Sequence, residues 1–257
     1  MDRLQDKTAL IIGADPVTLG IATRYAAEGA SVTIASDQAS LKDAAKIGRI
    51  KTVEISDANS AADKAAIQAA AGASLDILVL GGADIPEAKD WTPVAKLSID
   101  QLRETENGVV ARSLIAIQAC EDALRAGGNA SIIFLYSPAG YYSEGGWSDY
   151  TISYHARHGL MRAVAAEWGP VRANMLVPFA DTPGFQAFRA RNPAEVDFRV
   201  STIAMKRVGD VVKDIGGAAV FLGSDDTQYL TGMMVFADGG AFLTQPVLET
   251  SMMGAAS

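Results

Sequence analysis

Leu75-Asp76-Ile77-Leu78-Val79-Leu80 is a six-residue run with a single polar member. It is too short for a helix, and it is apolar at consecutive positions rather than alternate ones. A strand of that kind is buried on both faces, which is the condition of a parallel sheet covered by helices. Similar runs lie on either side of it, at Thr8–Ile12, Ser31–Ala35, a weaker Thr52–Ile55, Ser131–Tyr136, Asn174–Val177 and Met233–Phe236. Helix-like segments separate them. Leu19–Glu28 is stopped by Gly29, Ala-rich stretches follow at about 38–47 and 61–71, and a long stretch from Ile99 to Ala126 ends at Gly127-Gly128. Asp149–Trp168 is halted by Gly169-Pro170, and Asp210–Leu222 precedes the last strand. Strands alternating with helices, joined by right-handed crossovers, predict an α/β fold with a doubly wound parallel sheet in one domain, 1–257.

Two stretches lack either periodicity, Gly140–Trp147 and Phe179–Met205. Both follow strands at the carboxyl edge of the sheet, where such folds bind ligands. Their aromatic residues, among them Tyr142, Trp147 and Phe179, are expected to wall a substrate, with 179–205 as a covering loop. Ala241–Ser257 reads as a C-terminal extension.

The 257 residues are 49% hydrophobic and 20% charged, enough for a full core on a soluble chain. A net charge of −8 argues against nucleic acid as a partner. No apolar run is long enough to span a bilayer, and the first residues lack a charged-then-apolar signal pattern. Cys120 is the only cysteine, so no internal disulfide forms and a reducing cytoplasm is expected. Two histidines, His155 and His158, and one cysteine leave no basis for a metal site.

Several short motifs stand out beyond the pattern. They are Ala26-Ala27-Glu28-Gly29-Ala30 after the first helix, the 75–79 strand, and Ala165-Ala166-Glu167-Trp168-Gly169-Pro170. Further on come Phe221-Leu222-Gly223-Ser224-Asp225-Asp226, Tyr229-Leu230-Thr231-Gly232 and Asp238-Gly239-Gly240. Ser137 ends the fifth strand and Tyr150 follows thirteen positions later, where a helix starts. With these residues the chain resembles the short-chain dehydrogenase/reductase family over nearly its whole length, which implies a Rossmann-like single domain. The resemblance implies that Tyr150 exchanges a proton with a substrate oxygen and that Ser137 holds that oxygen by hydrogen bond.

The departures from the family are equally specific. The family's lysine four residues after the tyrosine is Tyr154 here. That lysine matters because free tyrosine titrates near roughly 10 and needs a neighbouring cation to ionise near neutrality. Arg157 and His158, about two turns away, offer a weaker field, with a surface or interface position the plainer expectation. The family's glycine-rich turn becomes Ile12-Gly13-Ala14-Asp15-Pro16-Val17-Thr18-Leu19-Gly20. Pro16 and Thr18 take the places of glycines, Pro16 has no N–H, and Asp15 would face phosphate with like charge. The Gly20-Ile21-Ala22 that follows is similar to the enoyl reductase branch. The family's asparagine falls on Val109, and Pro178-Phe179 stands where the family keeps space beside a nicotinamide.

The reading that follows is a divergent NAD(P)-dependent oxidoreductase on a small apolar alcohol or ketone. Ser137, Tyr150 and Tyr154 form its catalytic group, and Gly13, Asp37, Glu54 and Gly81 are its remaining cofactor contacts. Asp37 would repel the extra phosphate of NADP, so NAD is the expected cofactor. One alternative is a nucleotide-independent enzyme of proton transfer, elimination or ring closure, as in halohydrin dehalogenases, which resemble the same family; Arg112 sits where theirs has an arginine. Another is a catalytically weak structural subunit. The resemblance also implies a homodimer or homotetramer.

Overall fold

The structure is a computed structural model describing residues 2–56, 60–82, 92–137, 140–141 and 146–244. Seven strands, β1 (Thr8–Ile12), β2 (Ser31–Ser36), β3 (Ile50–Glu54), β4 (Ile77–Leu80), β5 (Ser131–Leu135), β6 (Arg172–Pro178) and β7 (Met234–Ala237), make one sheet. Its order is β3-β2-β1-β4-β5-β6-β7, and every neighbouring pair is parallel. The chain builds outward from β1 to β3, returns to β4 beside β1, and builds outward the other way. The carboxyl ends of β1 and β4 therefore splay their loops apart and leave a crevice.

Helices α1 (Pro16–Ala27), α2 (Gln38–Ala44), α3 (Ala61–Ala71), α4 (Ile99–Glu106), α5 (Arg112–Ala126) and α6 (Ser148–Glu167) connect the first six strands. Successive strand residues serve opposite faces, as strand geometry requires. Leu10, Ile12, Leu78, Leu80, Ile132 and Phe134 share one core with Ile117, Cys120 and Met161 of α5 and α6. Ala9, Ile11, Ile77, Val79, Ile133 and Leu135 share the other with Val17, Ile21 and Tyr25 of α1. The doubly wound reading of the sequence, with helices on both faces of the sheet, holds.

The differences have identifiable causes. The long helix expected from Ile99 to Ala126 is α4 and α5 joined by a wider π turn at Asn107–Ala111. β6 begins at Arg172, before its apolar run. The buried guanidinium there donates from its two Nη atoms to Leu222 O (3.0 Å), Thr227 Oγ1 (2.6 Å) and Ser224 O (3.3 Å). α1 begins at Pro16 rather than Leu19, because Asp15 caps it and proline suits the first turn. The stretch expected to be irregular at 179–205 contains α7 (Pro183–Arg191) and α8 (Pro193–Thr202), with Thr182 capping the first. A π turn at Val211–Ile215 leads into α9 (Gly216–Gly223). Of the C-terminal extension, Ala241–Thr244 forms a short helix, α10, and 245–257 lie outside the described residues. Among the described residues no helix is long and apolar enough to cross a membrane.

Gly20 sets how closely α1 lies on the Val211 turn. A Cβ built there would stand 2.7 Å from both the Cβ and the carbonyl oxygen of Val211. Gly20→Ala is therefore expected to cost about 1–3 kcal/mol through overpacking. The check is a urea midpoint that falls at unchanged slope; an unmoved midpoint would contradict the tight fit.

Candidate active site

The crevice at the β1/β4 switch point is a cleft of about 960 Å³. The turn after β1 (Gly13 to Pro16) and the end of β2 (Ser36, Asp37 and Ser40) line one half. Gly82 after β4, the polar face of α4, and Arg112, Tyr150 and Tyr154 line the other.

Tyr150 sits half-buried in the first turn of α6. The Trp147 ring meets it edge-on at 5.6 Å, and the Tyr154 ring stacks on its other side at 6.3 Å. The helix start is tied to α4 through the buried Asp149, whose Oδ2 accepts from Thr105 Oγ1 (2.9 Å) and Gln101 Nε2 (3.4 Å). Ser137, two residues past the end of β5, is fully buried and does not itself line the cleft, and its hydroxyl has no hydrogen-bond partner among the described residues. A buried polar group left in that state is costly and calls for an explanation such as a ligand, an ordered water or a catalytic role.

Tyr154 is 2% exposed, packed at 5.1 Å against the Tyr136 ring. Gly140 lies so close that a Cβ there would be 3.0 Å from the Cβ of Tyr154. The position the family gives to lysine is thus filled by an uncharged ring, and the cation comes from the next turn of α6. Arg157 is also 2% exposed, which corrects the surface or interface position expected for it. Its guanidinium donates to Leu135 O (2.8 Å), Leu80 O (3.0 Å) and Gly81 O (2.8 Å). The carbonyls at the ends of β4 and β5 face inward and need donors, which is why a charge is buried there. A Cβ at Gly82 would lie 3.5 Å from Arg157 Nη1 and 3.6 Å from Tyr154 Oη, so the two groups flank one point. Burial, with the like charge of Arg112, lowers the Arg157 pKa to about 10, while Tyr154 and Asp15 act against that shift. The group stays cationic at neutral pH. His158 differs: burial first, then Arg162 and His155, lower its pKa, and it offers no cation there.

At the other side of the switch point, Asp15 occupies the N-terminus of α1. Its Oδ1 accepts from Val17 N and Thr18 N, both at 2.9 Å, and its Oδ2 from Gly82 N at 3.2 Å. Gly81 is held to Ile12 O by its N–H (2.8 Å), and a Cβ there would be 2.5 Å from that oxygen and 3.2 Å from Asp15 Oδ2. Only glycine fits.

The remaining expected site residues divide. Gly13, with φ +98° and its N–H on Ala35 O, lines the cleft, as does Asp37. Hydrogen bonds from Ser40 hold the Asp37 carboxyl below its usual pKa while it caps α2. Glu54 stands exposed opposite Ser36 at the end of β3 and does not line the cleft. Trp147 is buried behind Tyr150 rather than forming a wall. Phe179 packs edge-on against Phe185 at 5.4 Å and also stays out of the cleft lining. Tyr142 lies outside the described residues. Val109 lines the cleft from the π turn with no side-chain hydrogen bond to offer. Gln101, Glu104 and Thr105 form a polar wall that the sequence reading missed; the polar face of α4 was its only sign. Among the described residues no three metal-ligating side chains gather, and burial pushes the Cys120 thiol up to about 12.

Replacing Arg157 with leucine would remove a donor from each of three inward carbonyls. The expected loss is about 3 kcal/mol or more, a fall in Tm of roughly 6–12 °C for a domain of this size. Thermal unfolding checks it, and a Tm within about 2 °C of wild type would show that the guanidinium does not hold the strand ends.

The family model described as enoyl-(acyl carrier protein) reductase matches residues 14–241. Short-chain dehydrogenase/reductase SDRA of Arabidopsis thaliana is 27% identical over 248 residues, covering 93% of this chain and 95% of that protein. The 12alpha-hydroxysteroid dehydrogenase of a Clostridium species is 26% identical, with 91% and 96% covered. Among solved structures, a protein from Beutenbergia cavernae described as an NAD(P)-dependent gluconate 5-dehydrogenase, with bound NADP, superposes with a TM-score of 0.81 at 26% identity. That match covers 93% of this chain and 98% of the other. The chain is therefore a member of the short-chain dehydrogenase/reductase family.

Proposed function

We propose that this chain is an NAD(P)-dependent oxidoreductase that interconverts an alcohol and a carbonyl on a small molecule at Ser137 and Tyr150. The observation that carries the reading is the buried Ser137 hydroxyl at the carboxyl end of β5, without a partner among the described residues, together with Tyr150 in the cleft wall. A substrate oxygen supplies the missing hydrogen-bond partner. The dehydrogenase and reductase names of the relatives support the reaction class.

The work of the chain is at that oxygen. Tyr150 gives it a proton during reduction and takes one during oxidation, and Ser137 fixes its position. Trp147 and Tyr154 hold the Tyr150 ring from its two sides. A nicotinamide bound in the cleft would exchange the hydride with the substrate carbon. The adenosine end of such a cofactor fits the wall made by Gly13, Ser36, Asp37 and Ser40. The ionised Asp37 disfavours an added phosphate there, which favours NAD over NADP. The diphosphate does not fit in the same way, because the Asp15 carboxylate already occupies the α1 N-terminus.

The expected substrate is a small alcohol or ketone; the polar wall of Gln101, Glu104 and Thr105 tempers the purely apolar expectation. A homodimer or homotetramer belongs to the same reading, supported by Ile99, Leu114 and Ile152, which stand exposed on α4, α5 and α6. In a screen of small secondary alcohols with NAD, Tyr150→Phe is expected to lower kcat by about 10²–10⁴ and Ser137→Ala by less. Unchanged kcat in Tyr150→Phe would refute the assignment.

A further inference from the structure

We propose that Asp15 is a built-in substitute for the cofactor diphosphate, so that a dinucleotide binds only by displacing this carboxylate. The inference rests on the dinucleotide reading above and concerns how tightly that cofactor is held.

The first turn of a helix presents N–H groups that have no partner inside the helix, and these are what an anion uses. In α1 the first residue is Pro16, which has none. The next two, Val17 N and Thr18 N, both donate to Asp15 Oδ1. Leu19 N already donates to Asp15 O at 2.9 Å. Across the crevice Gly82 N donates to Asp15 Oδ2, and Gly13 N is spent on Ala35 O at 2.8 Å. The two N–H groups that open α1, those of Val17 and Thr18, are thus closed on one side chain.

Charge acts in the same direction. Among the described residues Asp15, Asp37, Glu104 and Asp149 line the cleft, with Arg112 as the cation. Arg157 lies beneath, and Asp15 is among the charges that raise its pKa against burial. A diphosphate arriving at α1 meets a negative group at contact distance instead of free N–H groups. A Cβ at Gly81 would meet Ile12 O at 2.5 Å, Thr18 Cγ2 at 3.1 Å and Asp15 Oδ2 at 3.2 Å, so the loop after β4 lies close against the carboxylate.

The test is a titration of wild type, Asp15→Ser and Asp15→Asn with NADH, read by nicotinamide fluorescence, with adenosine as a second ligand. Both replacements keep a cap oxygen for Val17 and Thr18 and remove the charge. NADH is expected to bind both variants about tenfold or more tighter than wild type, with adenosine unchanged. Equal NADH affinity in all three proteins would overturn the inference and leave the cofactor reading standing. No NADH binding to any of them at about 1 mM, a free energy weaker than about −4 kcal/mol, would overturn the cofactor reading and this inference with it. Asp15→Asn serves as the independent variant should Asp15→Ser fail to fold.

Discussion

The carboxylate of Asp15 ties together the parts from which the cleft is made. One oxygen closes the start of α1 and the other reaches Gly82 beyond β4, so the two loops that diverge at the switch point are joined by a single side chain. Gly81 must be glycine because that oxygen and Ile12 O leave no room for a Cβ. Pro16 costs nothing at the first helical position once the anion seat is filled from within, since its missing N–H would have no partner to serve. The altered turn is therefore coherent as a structure. It is a capped helix whose anion is covalently supplied.

A second constraint lies directly beneath. The family's cation at the lysine position is absent, and the buried Arg157 takes up the carbonyls of Leu80, Gly81 and Leu135 instead. Its charge stands beside the Tyr154 hydroxyl rather than beside Tyr150 directly. Tyr150 is then positioned by aromatic contacts, with Trp147 on one side and Tyr154 on the other. The two departures belong to one arrangement, because Arg157 interacts with both Tyr154 and Asp15. Arg157→Leu and Asp15→Ser thus probe neighbouring parts of the same electrostatic centre.

The sheet was legible because its strands are apolar on both faces and short, a pattern that few other structures produce. β4 and β5 are found within two residues of where their apolar runs lie. The start of β6 was not, because Arg172 donates to backbone and hydroxyl groups from far along the chain, and no local pattern carries that information. The same holds at the site. Ser137 and Tyr150 could be read from spacing, and the like charge of Asp15 was visible. Its three accepted hydrogen bonds were not, since Gly82 is 67 residues away. Arg157 was placed on the wrong side of its helix environment because its partners are strand-end carbonyls, which carry no side-chain signature. Phe179, Trp147 and Glu54 failed as cleft residues for a related reason. Being aromatic or acidic near a strand end does not say which way a side chain packs, and Phe185, Tyr150 and solvent respectively took them up.

The central claim is that the anion seat of this fold is filled by the chain's own carboxylate. It is tested most directly by comparing the affinities of wild-type protein for adenosine and for ADP-ribose, which differ by the diphosphate and the second ribose. A protein whose α1 donors are free gains much of its affinity from the diphosphate. Here ADP-ribose is expected to bind no more than about threefold tighter than adenosine, a difference below about 1 kcal/mol. A gain of about a hundredfold or more would contradict the account.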